Sequence, residues 1–199
     1  LIGGQWINRI LSDMGRIDLS FGFATAKDFP SWGYMVEKGA TTIWELWNGD
    51  TADPAMNSGN HVMLVGDLTI WFYEYLAGIQ ADKDNPGFKH FVMKPNVVGD
   101  LTYVKAAYDS ARGIIRSDWK KDGDKFTWKI TIPANTSASV IVPTSNPDSL
   151  AIQTSRYDIV PPEPGEIRFV KYEQNFADFD FSQNISGTSN GFVNLELGC

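Results

Sequence analysis

The 199-residue chain predicts an α+β fold in two parts, a helical portion followed by an antiparallel β-sandwich. Two observations carry this reading. Within residues 1–80 the apolar side chains recur at helical spacing, and beyond the polar turn Ala81-Asp-Lys-Asp-Asn-Pro-Gly87 that spacing does not return. Short alternating or β-branched runs take over, separated by turn signals every ten or so residues. The predicted organisation is therefore a helical domain over 1–80, a linker over 81–87 and a sandwich over 88–199.

In the first part, Trp6, Ile7, Ile10, Leu11 and Met14 share one face of a helix over about 4–15, closed by Gly15. A second helix is predicted from Asp18, as N-cap, to Ala26. Phe29-Pro30 ends it, because the residue before proline is pushed out of the helical region. Residues 30–60 hold glycines and prolines but little periodicity, so they read as a long ordered loop with a short strand at Thr41–Trp44. Next comes a helix over His61–Ile79, with Leu64, Leu68, Trp71, Tyr75 and Ile79 at helical spacing and Phe72 and Leu76 widening the stripe. Ser58 or Asn60 is the predicted cap, which puts His61 in its first turn.

In the second part, strands are predicted at 88–95, 101–108, 111–119, 125–132 and 137–143, with a hairpin turn at Lys121-Asp-Gly-Asp124. The Ser-, Thr- and Pro-rich stretch 144–166 reads as an insertion or mobile loop. Alternation resumes at Ile167–Tyr172, Phe176–Phe181 and Phe192–Leu197, which would complete the sandwich.

Composition narrows the function classes. A net charge of −7 makes nucleic acid and anionic membrane surfaces electrostatically unfavourable partners. The longest apolar stretch, around 62–79, is interrupted by Asp67 and Glu74, which argues against a membrane span. A single cysteine, Cys199, excludes an internal disulfide scaffold. His61 and His90 have no partner at metal-ligand spacing, and Asp50 with Asp53 is a weak calcium pattern, so no cofactor is expected.

The stretch Gly39-Ala-Thr-Thr-Ile-Trp-Glu-Leu-Trp-Asn-Gly49 carries the chemistry. It sets Glu45 between the indoles of Trp44 and Trp47. A carboxylate among aromatic faces is partly desolvated, which suits it to proton transfer, and indoles offer flat surfaces for sugar rings. The alternative is a core strand whose Glu points at solvent. Trp47 and Trp32 are the candidate sugar platforms, with plain packing as the competing role. Asn48, Asp50 and Asp53 could bond sugar hydroxyls or cap turns.

Four motifs in order, Pro30-Ser-Trp-Gly-Tyr-Met35, Gly39-Ala-Thr-Thr-Ile-Trp-Glu45, Ser58-Gly-Asn-His61 and Trp71-Phe-Tyr-Glu-Tyr-Leu-Ala-Gly-Ile79, resemble the C-terminal portion of the bacterial alpha-L-rhamnosidases of glycoside hydrolase family 78. The resemblance covers residues 1–145 well and the remainder loosely. It implies a multi-domain fragment in which residues 1–80 are the last helices of an (α/α) six-hairpin toroid. It also implies inverting hydrolysis of terminal alpha-L-rhamnosyl residues from a glycoside or polysaccharide, with Glu45 as general base and His61 lining the sugar subsite; Trp47, Trp44 and Trp32 join the candidate substrate-binding set on the chemistry of their rings alone. The family's general acid lies upstream of the base, outside these residues, so the isolated chain is expected to be inactive and to need the remainder of its parent catalytic domain. Any export signal is also expected upstream, with a periplasmic or extracellular location favoured. The rival readings are a non-catalytic carbohydrate-binding or structural module, and another helical-toroid glycosidase or lyase.

Overall fold

The computed structural model describes residues 3–144, apart from the side chains of Val62, Met63 and Val65. Beyond these it describes the backbone of 151–154, 158–160, 166–170, 177–184 and 192–198. The chain divides into two compact units, Leu1–Phe72 and Tyr73–Cys199.

The first unit is helical. Helix α1, Gly4–Asp13, turns through Gly15 at φ +75° into α2, Ile17–Thr25. Asp18 is not the N-cap of α2; Arg16 holds that position, and Asp18 in the first turn pairs with its guanidinium at 3.0 Å. The two helices meet along small and polar side chains. Asn8 Nδ2 donates to Ser20 O at 3.2 Å, and Ser20 Oγ and Ser12 Oγ both donate to Asn8 O, at 3.0 and 2.7 Å. Short side chains let backbones approach, and the paired bonds satisfy the polar groups this approach buries. The predicted apolar face of α1 is consequently split. Ile7 and Leu11 are half-buried, whereas Trp6, Ile10 and Met14 are exposed.

The stretch 30–60 contains a helix that its sequence pattern did not announce, α3, Trp32–Glu37. Ser31 is its N-cap, accepting the Tyr34 N–H at 2.9 Å. No strand forms at Thr41–Trp44. Helix α4 runs from Val62 to Trp71, and the chain continues as a π-helical turn, Phe72–Leu76. The long helix expected to reach Ile79 therefore stops earlier. The cause is Gly78, at φ +80°, where a Cβ would stand 2.2 Å from Pro95 N. Gly78 O accepts from Lys94 N at 2.8 Å, which turns Ile79 into a strand instead.

The second unit is a two-sheet sandwich. One sheet contains β1 (Ile79–Ala81), β2 (His90–Met93), β6 (Ser137–Pro143), β8 (Asp158–Val160), β9 (Glu166–Val170) and β11 (Phe192–Gly198), in the order β1-β2-β6-β11-β9-β8. The other contains β3 (Tyr103–Ser110), β4 (Gly113–Asp122), β5 (Lys125–Ile132), β7 (Ala151–Thr154) and β10 (Ala177–Asn184), in the order β3-β4-β5-β10-β7. The polar run expected to be a linker joins β1 to β2. Two short strands, β7 and β8, lie in the stretch read as a loop; residues 145–150, 155–157 and 161–165 of that stretch fall outside the described residues.

Pairing is antiparallel except for β2 with β6 and β9 with β11, which are parallel. The β4–β5 hairpin is constrained to antiparallel pairing by its two-residue turn, whereas β2 and β6 are separated by three strands of the opposite sheet and carry no such constraint. Alternate residues point inward along each strand: Ile115, Ser117 and Trp119 on β4, Phe126, Trp128, Ile130 and Ile132 on β5, and Ala138, Val140 and Val142 on β6. This period-two pattern builds the core. Its buried polar groups close on the end of the π-helical turn. Trp119 Nε1 donates to Leu76 O at 2.8 Å, Ser117 Oγ to Ala77 O at 2.6 Å and Asn96 Nδ2 to Tyr75 O at 2.8 Å. Carbonyls that lose intrahelical partners where a helix ends are thus satisfied by side chains.

Candidate active site

The site belongs to the first unit and is built from the loop between α3 and α4. Residues 42–46 and 57–61 run alongside each other. Glu45 N donates to Ser58 O at 2.9 Å and His61 N to Ile43 O at 2.8 Å, and Thr42 Oγ1 donates to Gly59 O. Two side-chain bonds tighten the lacing: Leu46 N donates to Asn57 Oδ1 at 3.1 Å and Ser58 N to Glu45 Oε2 at 3.1 Å. Backbone donors without a sheet partner are therefore satisfied locally, which orders a loop of irregular conformation.

This lacing brings Glu45 and His61 together although they stand 16 positions apart. His61 Nδ1 lies 3.9 Å from Glu45 Oε2, with the His61 side chain 23% and the Glu45 side chain 42% exposed. That separation is longer than a hydrogen bond, so both groups can reach a common third group. Among the described residues no donor reaches Oε1, which leaves it as an acceptor. His61 is the N-cap residue of α4 rather than a member of its first turn, and its carbonyl accepts from Leu64 N at 3.0 Å. Neither Ser58 nor Asn60 caps α4; Ser58 Oγ accepts from Asn60 N at 3.3 Å instead.

The indoles divide into two roles. Trp44 precedes Glu45 and is half-buried, and Gly49 lies against its ring so closely that a Cβ there would meet three ring carbons at 2.6–2.7 Å. Trp47 is half-buried, with the Trp32 ring 4.6 Å away and the Phe23 ring 5.3 Å away, both edge-on. Trp32 differs from the sequence expectation. It is 3% exposed and its Nε1 donates to the buried Asn8 Oδ1 at 3.1 Å, so it supports Trp47 from the core and offers no face for a sugar.

Asn48 and Asp53 serve the loop's own turns, and Asp50 reaches α3. Asp53 Oδ1 accepts from Ala55 N at 2.9 Å, and Asn48 Nδ2 donates to Thr51 Oγ1 at 3.2 Å. Asp50 accepts the Tyr34 hydroxyl on both oxygens at 3.0 Å, tying the loop to α3. Loss of solvent around the Tyr34 phenol, followed by its bond to Asp50, holds it above the ordinary phenolic range. Among the described residues no three His, Cys, Asp or Glu side chains converge as metal ligands. Sequence reasoning missed Asn57 and Asn8; an Asn beside a glycine-bracketed loop looks like turn chemistry whether it caps a turn or reaches eleven residues back.

Comparison with known proteins matches this chain to two family models. Residues 1–76 match the bacterial alpha-L-rhamnosidase 6 hairpin glycosidase domain, and residues 78–156 match the bacterial alpha-L-rhamnosidase C-terminal domain. An alpha-L-rhamnosidase of Streptomyces avermitilis is 33% identical over 144 residues, 70% of this chain and 14% of the relative. The crystal structure of the Streptomyces avermitilis alpha-L-rhamnosidase complexed with L-rhamnose superposes with a TM-score of 0.70 at 30% identity, over 87% of this chain and 17% of that one. The alpha-L-rhamnosidase from Dictyoglumus thermophilum gives 0.71 at 28% identity, over 90% and 20%. The chain spans 14–17% of the length of the curated relatives it matches.

Proposed function

The chain belongs to the bacterial alpha-L-rhamnosidases, and from that premise we propose that it carries the general base of a rhamnoside-hydrolysing site, Glu45. The observation that supports this most directly is the pinned carboxylate. Ser58 N–H fixes Oε2, the imidazole of His61 stands 3.9 Å away, and Oε1 is left to accept a proton. In an inverting glycosidase a carboxylate takes a proton from the attacking water while a carboxylic acid, about 6.5–9.5 Å across the ring, protonates the leaving oxygen. Glu45 fills the first role. His61 donates to a rhamnose hydroxyl, and Trp47 with Trp44 supplies the apolar wall against the ring. The acid lies on toroid helices outside these residues.

Those same helices are the proposed cover for Trp6, Ile10 and Met14 on α1 and for Leu19 on α2, which are 46–73% exposed. Such a face is apolar surface in the form a neighbouring helix buries. The reading predicts that the isolated 199 residues do not turn over a rhamnoside, because the acid and most of the pocket are elsewhere.

The test is hydrolysis of an aryl alpha-L-rhamnoside by the full-length polypeptide with Glu45→Gln. Removal of a general base typically lowers the rate about 10²–10⁴-fold. Such a loss with rhamnose affinity retained supports the assignment. An unchanged rate removes Glu45 from the chemistry and makes the loop a sugar-binding surface.

A further inference from the structure

We propose that Asn57 is a positioning residue for Glu45, an inference that rests on the general-base reading above. Its side chain is half-buried, and its Oδ1 accepts the N–H of Leu46, the residue directly after Glu45. The next residue along, Ser58, donates its own N–H to Glu45 Oε2 and accepts the Glu45 N–H on its carbonyl. Glu45 is therefore gripped at three consecutive points. Its backbone N–H and its carboxylate are held by Ser58, and the peptide that follows it is held by Asn57.

The Asn57 contact differs in kind from the Ser58 contacts. Both Ser58 bonds come from the main chain, so no substitution at Ser58 other than proline removes a backbone donor there. The Asn57 bond comes from a side chain and is the only one of the three that the residue type decides. Without it, the Leu46 N–H loses the acceptor that sets the direction in which the chain leaves Glu45, and the Glu45 side chain can rotate about Ser58. Because proton-transfer geometry is steep, a displacement on the order of 1 Å costs about a hundredfold in rate. Asn57 touches neither the sugar nor the water in this assignment, so its removal acts on kcat and leaves KM largely in place.

The test is a double-substitution cycle in the full-length polypeptide, with an aryl alpha-L-rhamnoside as substrate and rhamnose affinity and thermal midpoint measured alongside. Asn57→Ala is expected to lower kcat about 10- to 100-fold with KM changed less than about threefold. Asn57→Asp, which keeps an acceptor at Oδ1, recovers most of the rate. In the Glu45→Gln background Asn57→Ala causes little further loss, because the group it positions is gone. An equal loss in both backgrounds, or no recovery by Asp, shows a general structural role and overturns the proposal. An unchanged kcat in Asn57→Ala overturns it too. If Glu45→Gln itself retains full activity, the failure belongs to the general-base reading and not to the Asn57 contact.

Discussion

Gly49→Ala isolates the packing of Trp44 from every other feature of the loop. Gly49 closes the turn that begins at Leu46, donating to Leu46 O at 3.1 Å, and its φ lies outside the left-handed region, so alanine meets no backbone strain there. The cost is steric. An added Cβ stands 2.6–2.7 Å from three carbons of the Trp44 ring, where ordinary contact begins at 3.4 Å. Indole and turn must separate by about 0.8 Å, against a van der Waals wall that rises steeply inside the optimal contact distance. Overpacking of this kind costs about 1–3 kcal/mol. Trp44 is the neighbour of Glu45, so the same displacement moves the carboxylate, and on the proposed general-base role a shift on the order of 1 Å is expected to lower the rate about a hundredfold. The assay is the urea midpoint of the full-length polypeptide together with its rate on an aryl alpha-L-rhamnoside. Gly59→Ala serves as the stability control, since a Cβ at Gly59 meets nothing within 4 Å. If Gly49→Ala unfolds at the Gly59→Ala midpoint and keeps the wild-type rate, the placement of Trp44 over Gly49 is refuted.

Further outcomes follow from the same contacts. Gly78→Ala combines a left-handed conformation, worth about 1–2 kcal/mol, with a Cβ 2.2 Å from Pro95 N and loss of the Lys94 to Gly78 bond, and should destabilise the sandwich by about 3 kcal/mol or more in urea titrations. Tyr34 is held above its ordinary value, so the protonated phenol is the form the fold favours. Its contribution is complete below the phenolic range and is lost as pH rises through its folded value. Tyr34→Phe should therefore be less stable than wild type at neutral pH, and the two urea midpoints should converge at strongly alkaline pH. A constant difference across that range would show that the Tyr34 to Asp50 bond does not titrate.

What the sequence by itself determined was local. The 3.6 period placed α1 and the start of α4, the stop at Phe29-Pro30 bounded α2, and the period of two placed β3 to β6 and β9 to β11, because each signal is written in neighbouring residues. The hairpin turn at Gly123-Asp124, inside the predicted Lys121–Asp124 signal, was legible from its turn-forming residues. The four-motif pattern identified the family, and with it Glu45 and His61 as the residues to examine. It did not separate Trp47 from Trp32, since a half-buried indole and one bonded into the core look alike until burial and hydrogen bonds are known.

Only the tertiary structure decided contacts made across the chain. The end of the last helix depended on the close approach of Pro95 to Gly78, and the parallel pairing of β2 with β6 on strands that no short turn connects. The split face of α1 depended on Asn8 meeting Ser20. The setting of Glu45 depended on Asn57, Ser58 and His61 folding back over Ile43–Leu46. Such contacts are selected by which buried donors find acceptors once the chain is folded. A sequence shows the donors, but not which of the acceptors, many residues away, the fold will place within 3 Å.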